Sequence, residues 1–363
     1  MDFTRDESQD AVAEVVVSLL ERESARDIAL WPVIADSGLL AVPLPERFGG
    51  DEMGLLEVCA MLTELATDAV QTPALSTLGF GVLPLLAIGV PDALAEKVFP
   101  AVATGAVLTA ALHEAGAPFT VKPETTAVAD GATVRISGQK VAVPYADTAR
   151  WILVPTEAGI AVVDGDAPGI TRTASPTSDG VPEFSLRLDA VQIPVEHLLP
   201  GGLTELHRLA LACLGSVADG LLKGVLALTA EHVRTREQFG KPLAEFQAVA
   251  QQIADVYVVS RTLHAAAASA TWALAQELPV ANGGDAVSAA HRERTDDDLD
   301  VLAYTVASEL PAALQKCHHL HGGIGVDVTH PLHRYYSQAK DIARWLGGES
   351  FRLDRLGARC SSN

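Results

Sequence analysis

Residues 151–163 read WILVPTEAGIAVV, which is two short apolar runs separated by a stretch that contains Pro and Gly. Runs of this length, rich in β-branched residues and bounded by turn formers, are typical of β-strands. Three similar runs occupy residues 133–136, 141–143 and 184–188. Their regular spacing predicts an antiparallel sandwich or a small barrel in the middle of the chain.

Helical periodicity surrounds this β-rich region on both sides. Upstream, apolar residues recur at helical spacing, for example at Val12, Val15, Val16 and Leu19. Downstream, the pattern predicts long helices over 206–236, 246–274 and 301–318, and a fourth helical element over 331–345 and 350–356. The stretch from residues 281–284 through 296–298 predicts a polar break, with a helix starting at the acidic run 296–298.

The predicted fold is therefore a multi-domain α+β chain. It has an N-terminal helical domain over residues 1–106, a middle antiparallel β-domain over 107–198, and a C-terminal four-helix bundle over 199–363. Small residues on the first long helix, including Gly215 and Gly220, favour close helix–helix approach. We expect these apolar helices to form the core of an oligomer.

Bulk composition narrows the class of partner. The hydrophobic fraction of 48% and the charged fraction of 20% are those of a globular protein. The net charge of -20 argues against nucleic acid and anionic membranes as partners. The four cysteines are scattered along the chain. The sequence shows neither a basic segment followed by an apolar leader nor an apolar run of about 18–20 residues. These features together predict a soluble cytoplasmic protein.

The first candidate functional segment is residues 234–242, Arg-Thr-Arg-Glu-Gln-Phe-Gly-Lys-Pro. One interpretation is a turn between two helices, with Gly240 at a C-cap, Pro242 near the next helix start and solvated arginines. The other is that Arg236 points its guanidinium at a phosphate-bearing ligand.

The second candidate segment is residues 318–327, His-His-Leu-His-Gly-Gly-Ile-Gly-Val-Asp. Serial glycines after a helix either form a simple C-cap and loop or leave backbone N–H groups open to a pyrophosphate or adenine. Only His318 and His321 share a helix face, and no carboxylate or cysteine with ligand spacing accompanies them, so we expect no metal. An esterase oxyanion loop is excluded by the absence of a Gly-x-Ser-x-Gly motif.

In this order, the motifs resemble those of acyl-CoA dehydrogenases over almost the whole chain. The resemblance includes Pro-Glu-x-Phe-Gly-Gly at 45–50, the central β-domain, Arg-x-x-Phe-Gly at 236–240 and Gly-Gly-x-Gly at 322–325. Residues 336–340 correspond to the family's Arg-Asp-Ala-Lys stretch. The resemblance implies an FAD-dependent α,β-dehydrogenation of an acyl-CoA thioester, with an electron-acceptor flavoprotein as a further partner.

The resemblance also implies which residues contact FAD. In this family the two segments bind the adenosine-pyrophosphate end of an FAD that a neighbouring subunit mainly holds. Carried over, the contacts are Arg236, Gln238, Phe239, His319, Gly322 and Gly323.

The chain departs from the family at the catalytic base. The usual glutamate position is Leu346, and the alternative position used by some members is Ala210. Glu349 and Glu205 are nearby carboxylates, but they lie three and five residues out of register and are weak candidates.

The chain also departs at the elements that hold the flavin ring. The family's Thr-Glu-Pro-x-Ala-Gly-Ser-Asp strand is replaced by His-Glu-Ala-Gly-Ala-Pro at 113–118, and its Trp-Ile-Thr/Ser stretch by residues 141–145. The chain thus resembles the degenerate subunit of actinobacterial α2β2 enzymes of steroid side-chain or fatty acid breakdown, which shares FAD with a complete paralogue. Self-association, a flavin monooxygenase or oxidase of the same fold, and a non-catalytic structural paralogue are the alternatives.

Overall fold

The computed structural model describes residues 4–278 and 288–361. Its N-terminal region is helical, as predicted. The helix α1 begins after Asp6, whose carboxylate accepts a hydrogen bond from the Gln9 N–H at 2.9 Å and so caps the first turn. The helices are α1 (Glu7–Arg22), α2 (Trp31–Asp36), α3 (Leu55–Thr67), a π-helical turn (Leu75–Val82) continuing into α4 (Leu83–Ile88), and α5 (Asp92–Ala103).

The segment 45–50 forms a loop with a short 3-10 turn at Glu46–Phe48. Gly49 ends this turn with a φ of 79°, which glycine adopts without strain. A side chain at Gly50 would lie 2.0 Å from the carbonyl oxygen of Leu44, so only glycine fits there. The two glycines therefore have a local structural role.

The middle region consists of two four-stranded sheets, which confirms the predicted β-region. One sheet has the order β1-β4-β5-β8 and the other β2-β3-β7-β6. All pairings are antiparallel except that of β1 with β4, which is parallel. The strands are β1 (Val107–Ala110), β2 (Thr126–Asp130), β3 (Thr133–Pro144), β4 (Ala149–Thr156), β5 (Gly159–Asp164), β6 (Ile170–Ser175), β7 (Glu183–Pro194) and β8 (Leu198–Leu199).

The C-terminal region is a helical bundle, in agreement with the predicted fold class. Its elements are α6 (Leu203–Thr235), a two-stranded hairpin of β9 (Glu237–Gln238) and β10 (Lys241–Pro242), α7 (Gln247–Ala275), α8 (Ala289–His321), α9 (Leu332–Trp345) and α10 (Gly348–Ser361). The predicted fourth helical element is two helices, because Gly347 adopts a φ of 88° between them.

Two local predictions need comment. The predicted helix start at residues 296–298 is wrong, because α8 already begins at Ala289, where the Ser288 hydroxyl caps the His291 N–H. The first part of the predicted polar break, residues 281–287, lies outside the described residues, whereas its later part from Ala289 onward is helical.

The small residues of α6 pack within the chain. A methyl group at Gly220 would lie 2.2 Å from the Thr63 carbonyl oxygen, and one at Gly224 would lie 2.0 Å from that of Thr67. α3 therefore approaches α6 backbone to backbone. By length and composition α6 could cross a membrane, but 89% of its most apolar window is buried inside this chain, as in a core helix.

Candidate functional site

The two candidate segments lie at the same end of the bundle. Helices α6 and α8 run in the same direction, since Arg208 pairs with Asp296 near their beginnings and His232 meets His321 near their ends. The imidazole rings of His232 and His321 are stacked, with centroids 4.4 Å apart. The hairpin that follows α6 is thereby placed beside the glycine loop that follows α8.

The hairpin after α6 is a tight two-residue turn. Gln238 pairs with Lys241, and the two residues between them, Phe239 and Gly240, have φ angles of 54° and 80°. These angles are those of a type I′ turn. The prediction of a C-cap at Gly240 is therefore wrong, since α6 ends at Thr235 and Gly240 belongs to the hairpin.

Phe239 is the most exposed of the large apolar side chains, with 92% of its surface accessible. Its ring lies edge-on to Phe246, at a centroid distance of 6.2 Å. Lys241 places its ammonium group 4.4 Å above the Phe246 ring. The tip of the hairpin thus combines an exposed apolar ring with a cationic group. Such a combination is typical of a surface that binds a ligand or a partner.

The glycine loop after α8 is a short 3-10 turn over Gly322–Val326. Gly322 has a φ of 62°, and a side chain at Gly322 or Gly323 would meet no atom within 4 Å. The backbone at these two positions is therefore open to an approaching group. Gly325 differs, because a methyl group there would lie 3.0 Å from the His318 carbonyl oxygen.

All six predicted FAD contacts are exposed at this end of the bundle, and the two segments that carry them are neighbours. They are Arg236, Gln238, Phe239, His319, Gly322 and Gly323. Open glycine backbone, a guanidinium and an aromatic ring are groups that fit the adenosine-pyrophosphate end of FAD. Among the described residues, no group of three His, Cys, Asp or Glu side chains could hold a metal ion.

The histidines beneath the two loops are held neutral. Burial, with a smaller effect of the neighbouring His232 and His330 rings, lowers the pKa of His321 to about 4. Burial likewise lowers the pKa of His232. The Nδ1 of His321 lies 2.9 Å from the Cys317 carbonyl oxygen and so donates to it.

The two positions expected for a catalytic base are apolar and buried. Leu346 is 1% exposed at the end of α9, and Ala210 is fully buried in α6. Glu349 is exposed on α10, and Glu205 lies in the first turn of α6. A proton acceptor is therefore missing from both positions.

The loop that replaces the flavin-binding strand contains a buried ion pair. Glu114 lies 2.7 Å from the fully buried ammonium of Lys140 and accepts further hydrogen bonds from Thr125. Burial alone would raise the pKa of Glu114, but hydrogen bonds from the Glu124 N–H and Lys140 hold that pKa below its usual range. The carboxylate thus anchors this loop to β3.

Sequence reasoning missed a cluster around Phe119. This residue has a φ of 50° and is 3% exposed, so its ring points inward. The ring contacts His113 and His207 edge-on, at centroid distances of 5.1 and 5.4 Å, and Arg352 lies 5.0 Å from its centre. A phenylalanine one residue after the altered strand motif was the available signal.

The space beside Phe119 is closed. A pocket there contains essentially no free volume, about 0 Å³, so it does not admit a water molecule. A flavin ring does not fit between these side chains as they stand. The pocket is lined by Phe80, Ala110, Leu112, His113, Phe119, Ala142, Pro144, Leu214 and Trp345.

Comparison with known proteins gives consistent matches. The family model described as acyl-CoA dehydrogenase, N-terminal domain, matches residues 2–106, and that described as acyl-CoA dehydrogenase, C-terminal domain, matches residues 205–359. The acyl-CoA dehydrogenase FadE28 of Mycobacterium tuberculosis is 45% identical over 99% of both chains. The acyl-CoA dehydrogenase FadE27 of the same organism is 30% identical over 98% of both.

Two solved structures are also similar along nearly the whole length. The ChsE4-ChsE5 complex from Mycobacterium tuberculosis matches with a TM-score of 0.88 and 27% identity, covering 100% of both chains. A variant of the Tcur3481-Tcur3483 steroid ACAD matches with a TM-score of 0.83 and 32% identity, covering 98% of both chains.

Proposed function

The chain belongs to the acyl-CoA dehydrogenase family, and we propose that it is the subunit of a heteromeric enzyme that lacks a base of its own and completes the FAD site of a paralogous partner. The family is FAD-dependent and catalyses oxidation of acyl-CoA thioesters. In this proposal, this chain binds the adenosine-pyrophosphate end of FAD and the partner binds the flavin end.

The observation that carries the proposal is the contrast between the two ends of the cofactor site. At the end of the bundle, Arg236 and the backbone of Gly322 and Gly323 are exposed and unobstructed. In the middle domain, the altered flavin strand runs into Phe119, whose ring is buried against His207 and Arg352. One end can accept a ligand, while the other is already occupied by side chains.

The absent base supports the same division of labour. Removal of an α-proton needs a carboxylate poised by desolvation. Leu346 and Ala210 accept no proton, and Glu349 and Glu205 lie outside the closed region. The partner therefore supplies the base, and this chain contributes no catalytic residue.

The role of this chain is to bind and orient the cofactor. When bound, FAD would supply the acceptor for the hydride of the β-carbon. Arg236 would neutralise phosphate charge, the open backbone at Gly323 would let phosphate oxygens approach closely, and Phe239 would pack on the adenosine or on the partner. Gly322 would leave room for this approach, while its own N–H donates to the His319 carbonyl oxygen. Gln238 and His319 add hydrogen bonds at the edge of the same surface.

The related complexes support a partner of similar fold. The ChsE4-ChsE5 and Tcur3481-Tcur3483 structures are each named for two different chains, and the second is described as a steroid ACAD. We therefore expect an α2β2 assembly in the cytoplasm that acts on a bulky acyl-CoA such as a steroid side chain. Electrons then pass to an acceptor flavoprotein.

The test is a measurement of FAD per protomer by absorbance. The chain should be purified alone and also co-expressed with a candidate paralogous acyl-CoA dehydrogenase subunit. About half an FAD per chain in the mixed tetramer, and none in the lone chain, is the expected result. One FAD per chain in the lone protein would overturn the proposal and favour a same-fold oxidase. The absence of FAD from both preparations would indicate that the chain is a non-catalytic structural paralogue.

A further inference from the structure

Two buried cysteines face each other between α3 and α6. Cys59 lies on α3 and is 6% exposed, while Cys213 lies on α6 and is fully buried. A hydrogen bond with the Cys59 thiol and burial together raise the pKa of the Cys213 thiol well above its usual range. The two thiols are therefore neighbours, although they belong to different regions of the chain.

The helices that carry the two thiols are close enough for a covalent link. The Thr63 hydroxyl of α3 donates to the Ser216 carbonyl oxygen of α6 at 3.1 Å. Cys59 and Cys213 lie about one helical turn before these two residues, so they face the same seam between the helices. A disulfide requires Cα atoms about 4.4–6.8 Å apart, and the backbone-to-backbone approach of α3 and α6 at Gly220 provides such close packing.

A cavity beside α3 gives small molecules access to Cys59. Cys59 lines this partly open space between α1, α3, α6 and α7, and its volume of about 100 Å³ admits molecules of the size of water or hydrogen peroxide. Cys213 does not line the cavity, and Gly79 covers it on another side, where a methyl group would lie 2.8 Å from the β-carbon of Cys213. A small oxidant therefore reaches Cys59 first.

The same cavity contains a proton acceptor. The Nδ1 of His264 lies 2.9 Å from the Asp219 carboxylate, and both side chains line the cavity together with Cys59. Because the carboxylate accepts, the neutral imidazole carries its proton on Nδ1, which leaves Nε2 as the acceptor nitrogen. The thiolate and not the thiol is the nucleophile, so this imidazole promotes the reactivity of Cys59.

We propose that Cys59 and Cys213 form a reversible disulfide when the protein meets hydrogen peroxide. The Cys59 thiolate attacks one peroxide oxygen and becomes a sulfenic acid, while the O–O bond breaks and the departing hydroxide takes up the proton that Cys59 lost. The Cys213 sulfur then attacks the Cys59 sulfur, the S–O bond breaks, and water leaves with the Cys213 proton. Two thiols are thereby oxidised to one disulfide, and one peroxide is reduced to two water molecules.

The disulfide would join α3 of the N-terminal region to α6 of the bundle. A small dithiol would reverse it by thiol–disulfide exchange at the Cys59 sulfur, which faces the cavity. None of these groups belongs to the surface around Arg236 or to the two positions expected for a base. The inference therefore does not depend on the proposed sharing of FAD.

The experiment uses the full-length chain in the assembly in which it purifies, with Cys360→Ser introduced so that the three buried cysteines remain. The protein is treated with hydrogen peroxide, its free thiols are alkylated under denaturing conditions, and its peptides are mapped by mass spectrometry without reduction. We expect a linked pair of peptides that contain Cys59 and Cys213, which dithiothreitol returns to two free thiols. Cys317 is the internal control and should stay free, because burial raises its pKa to about 11.

Variants assign the roles of the two thiols. Cys213→Ala should stop the reaction at the sulfenic acid of Cys59, which dimedone traps. Cys59→Ala should protect Cys213 from peroxide, because the cavity wall then presents no thiol. His264→Gln should slow formation of the link at neutral pH several-fold. Cys317→Ala is the matched control and should form the link at the wild-type rate.

Two results would overturn the proposal. One is recovery of Cys59 and Cys213 as free thiols from the otherwise unchanged chain after a peroxide treatment that fully oxidises a short cysteine-containing peptide. This result does not depend on the folding of any variant at the two positions. The other is oxidation of Cys59 to the sulfinic acid without a linked peptide, because the Cys213 sulfur would then not reach it.

Discussion

His232 and His321 stack their imidazole rings 4.4 Å apart, with 18° between the ring planes. This contact joins the ends of α6 and α8 and sets the hairpin beside the glycine loop. Both rings are neutral at pH 7, because burial lowers both pKa values. Protonation of both would place two positive charges face to face beneath the proposed cofactor surface.

The stability of the protein should decrease as the pH falls from neutral. Burial lowers the pKa of His113 and His207 to about 3 and that of His321 to about 4. Unfolded histidine titrates near pH 6.5, so below that pH the unfolded state binds protons that the native state does not. The stabilisation is complete above about pH 6.5 and is lost as the pH falls towards 4.

Urea unfolding between pH 5 and 7 measures this effect while most carboxylates remain ionised. With three such histidines, the slope of the free energy of unfolding approaches about 4 kcal/mol per pH unit at the acidic end. His321→Gln should reduce the number of protons taken up on unfolding by about one, and the slope should decrease accordingly. A pH-independent free energy of unfolding would contradict the assignment of neutral rings.

Arg236→Gln should weaken FAD binding to the mixed assembly by about tenfold or more, because a charge-assisted contact to phosphate is lost. Flavin fluorescence titration measures the Kd. Arg234→Gln is the control, since Arg234 already pairs with Glu231 on the same helix. Equal affinity of both variants for FAD would show that Arg236 does not contact the cofactor.

Phe239→Ser should weaken assembly with the partner and leave the folding of this chain unchanged. The ring is 92% exposed here, so burying it against a partner contributes about 1.5–3 kcal/mol. Sedimentation velocity of the mixed assembly should show a Kd raised by at least tenfold. Val121→Ser, at an exposed apolar residue of the middle region, should have no effect. A Phe239→Ser assembly as tight as wild type would mean that the hairpin tip does not contact the partner.

The sequence predicted the order of the elements well, because helix and strand periodicities are local properties. The small residues of α6 predicted a close approach of another helix, but not that the helix at Gly220 would be α3 of the same chain. The start of α8 was not predicted correctly, since the acidic run 296–298 resembles a first turn while the Ser288 cap lies further upstream. Phe119 and Arg352 were missed because their contact joins residues distant in sequence, and no pattern along the chain reports such a pair.

Glu349→Gln and Glu205→Gln should leave the dehydrogenase activity of the mixed assembly unchanged, because the base comes from the partner. Leu346→Glu should not create a second active site, since Phe119 still closes the adjacent space. Turnover per FAD with an artificial electron acceptor is the measurement. A loss of more than about tenfold in either glutamine variant, the size expected for a catalytic acid or base, would restore that carboxylate as a candidate.

Lys140→Met should destabilise the protein strongly. The ammonium is fully buried 2.7 Å from Glu114, and removing it leaves a buried carboxylate without its counter-charge. Breaking a buried pair in this way costs about 3–5 kcal/mol.

The surface pair of Arg47 and Asp92, at 2.8 Å, provides the contrast, because Arg47→Met should cost less than about 1 kcal/mol. Replacing both partners in a Lys140→Met, Glu114→Leu double variant should recover much of the lost stability, since no uncompensated charge then remains. The measurement is urea unfolding of the wild type, Lys140→Met, Arg47→Met and the double variant. A double variant no more stable than Lys140→Met would show that the loop is held by the hydrogen bonds of Glu114 to the backbone of residues 124–125 and not by its charge.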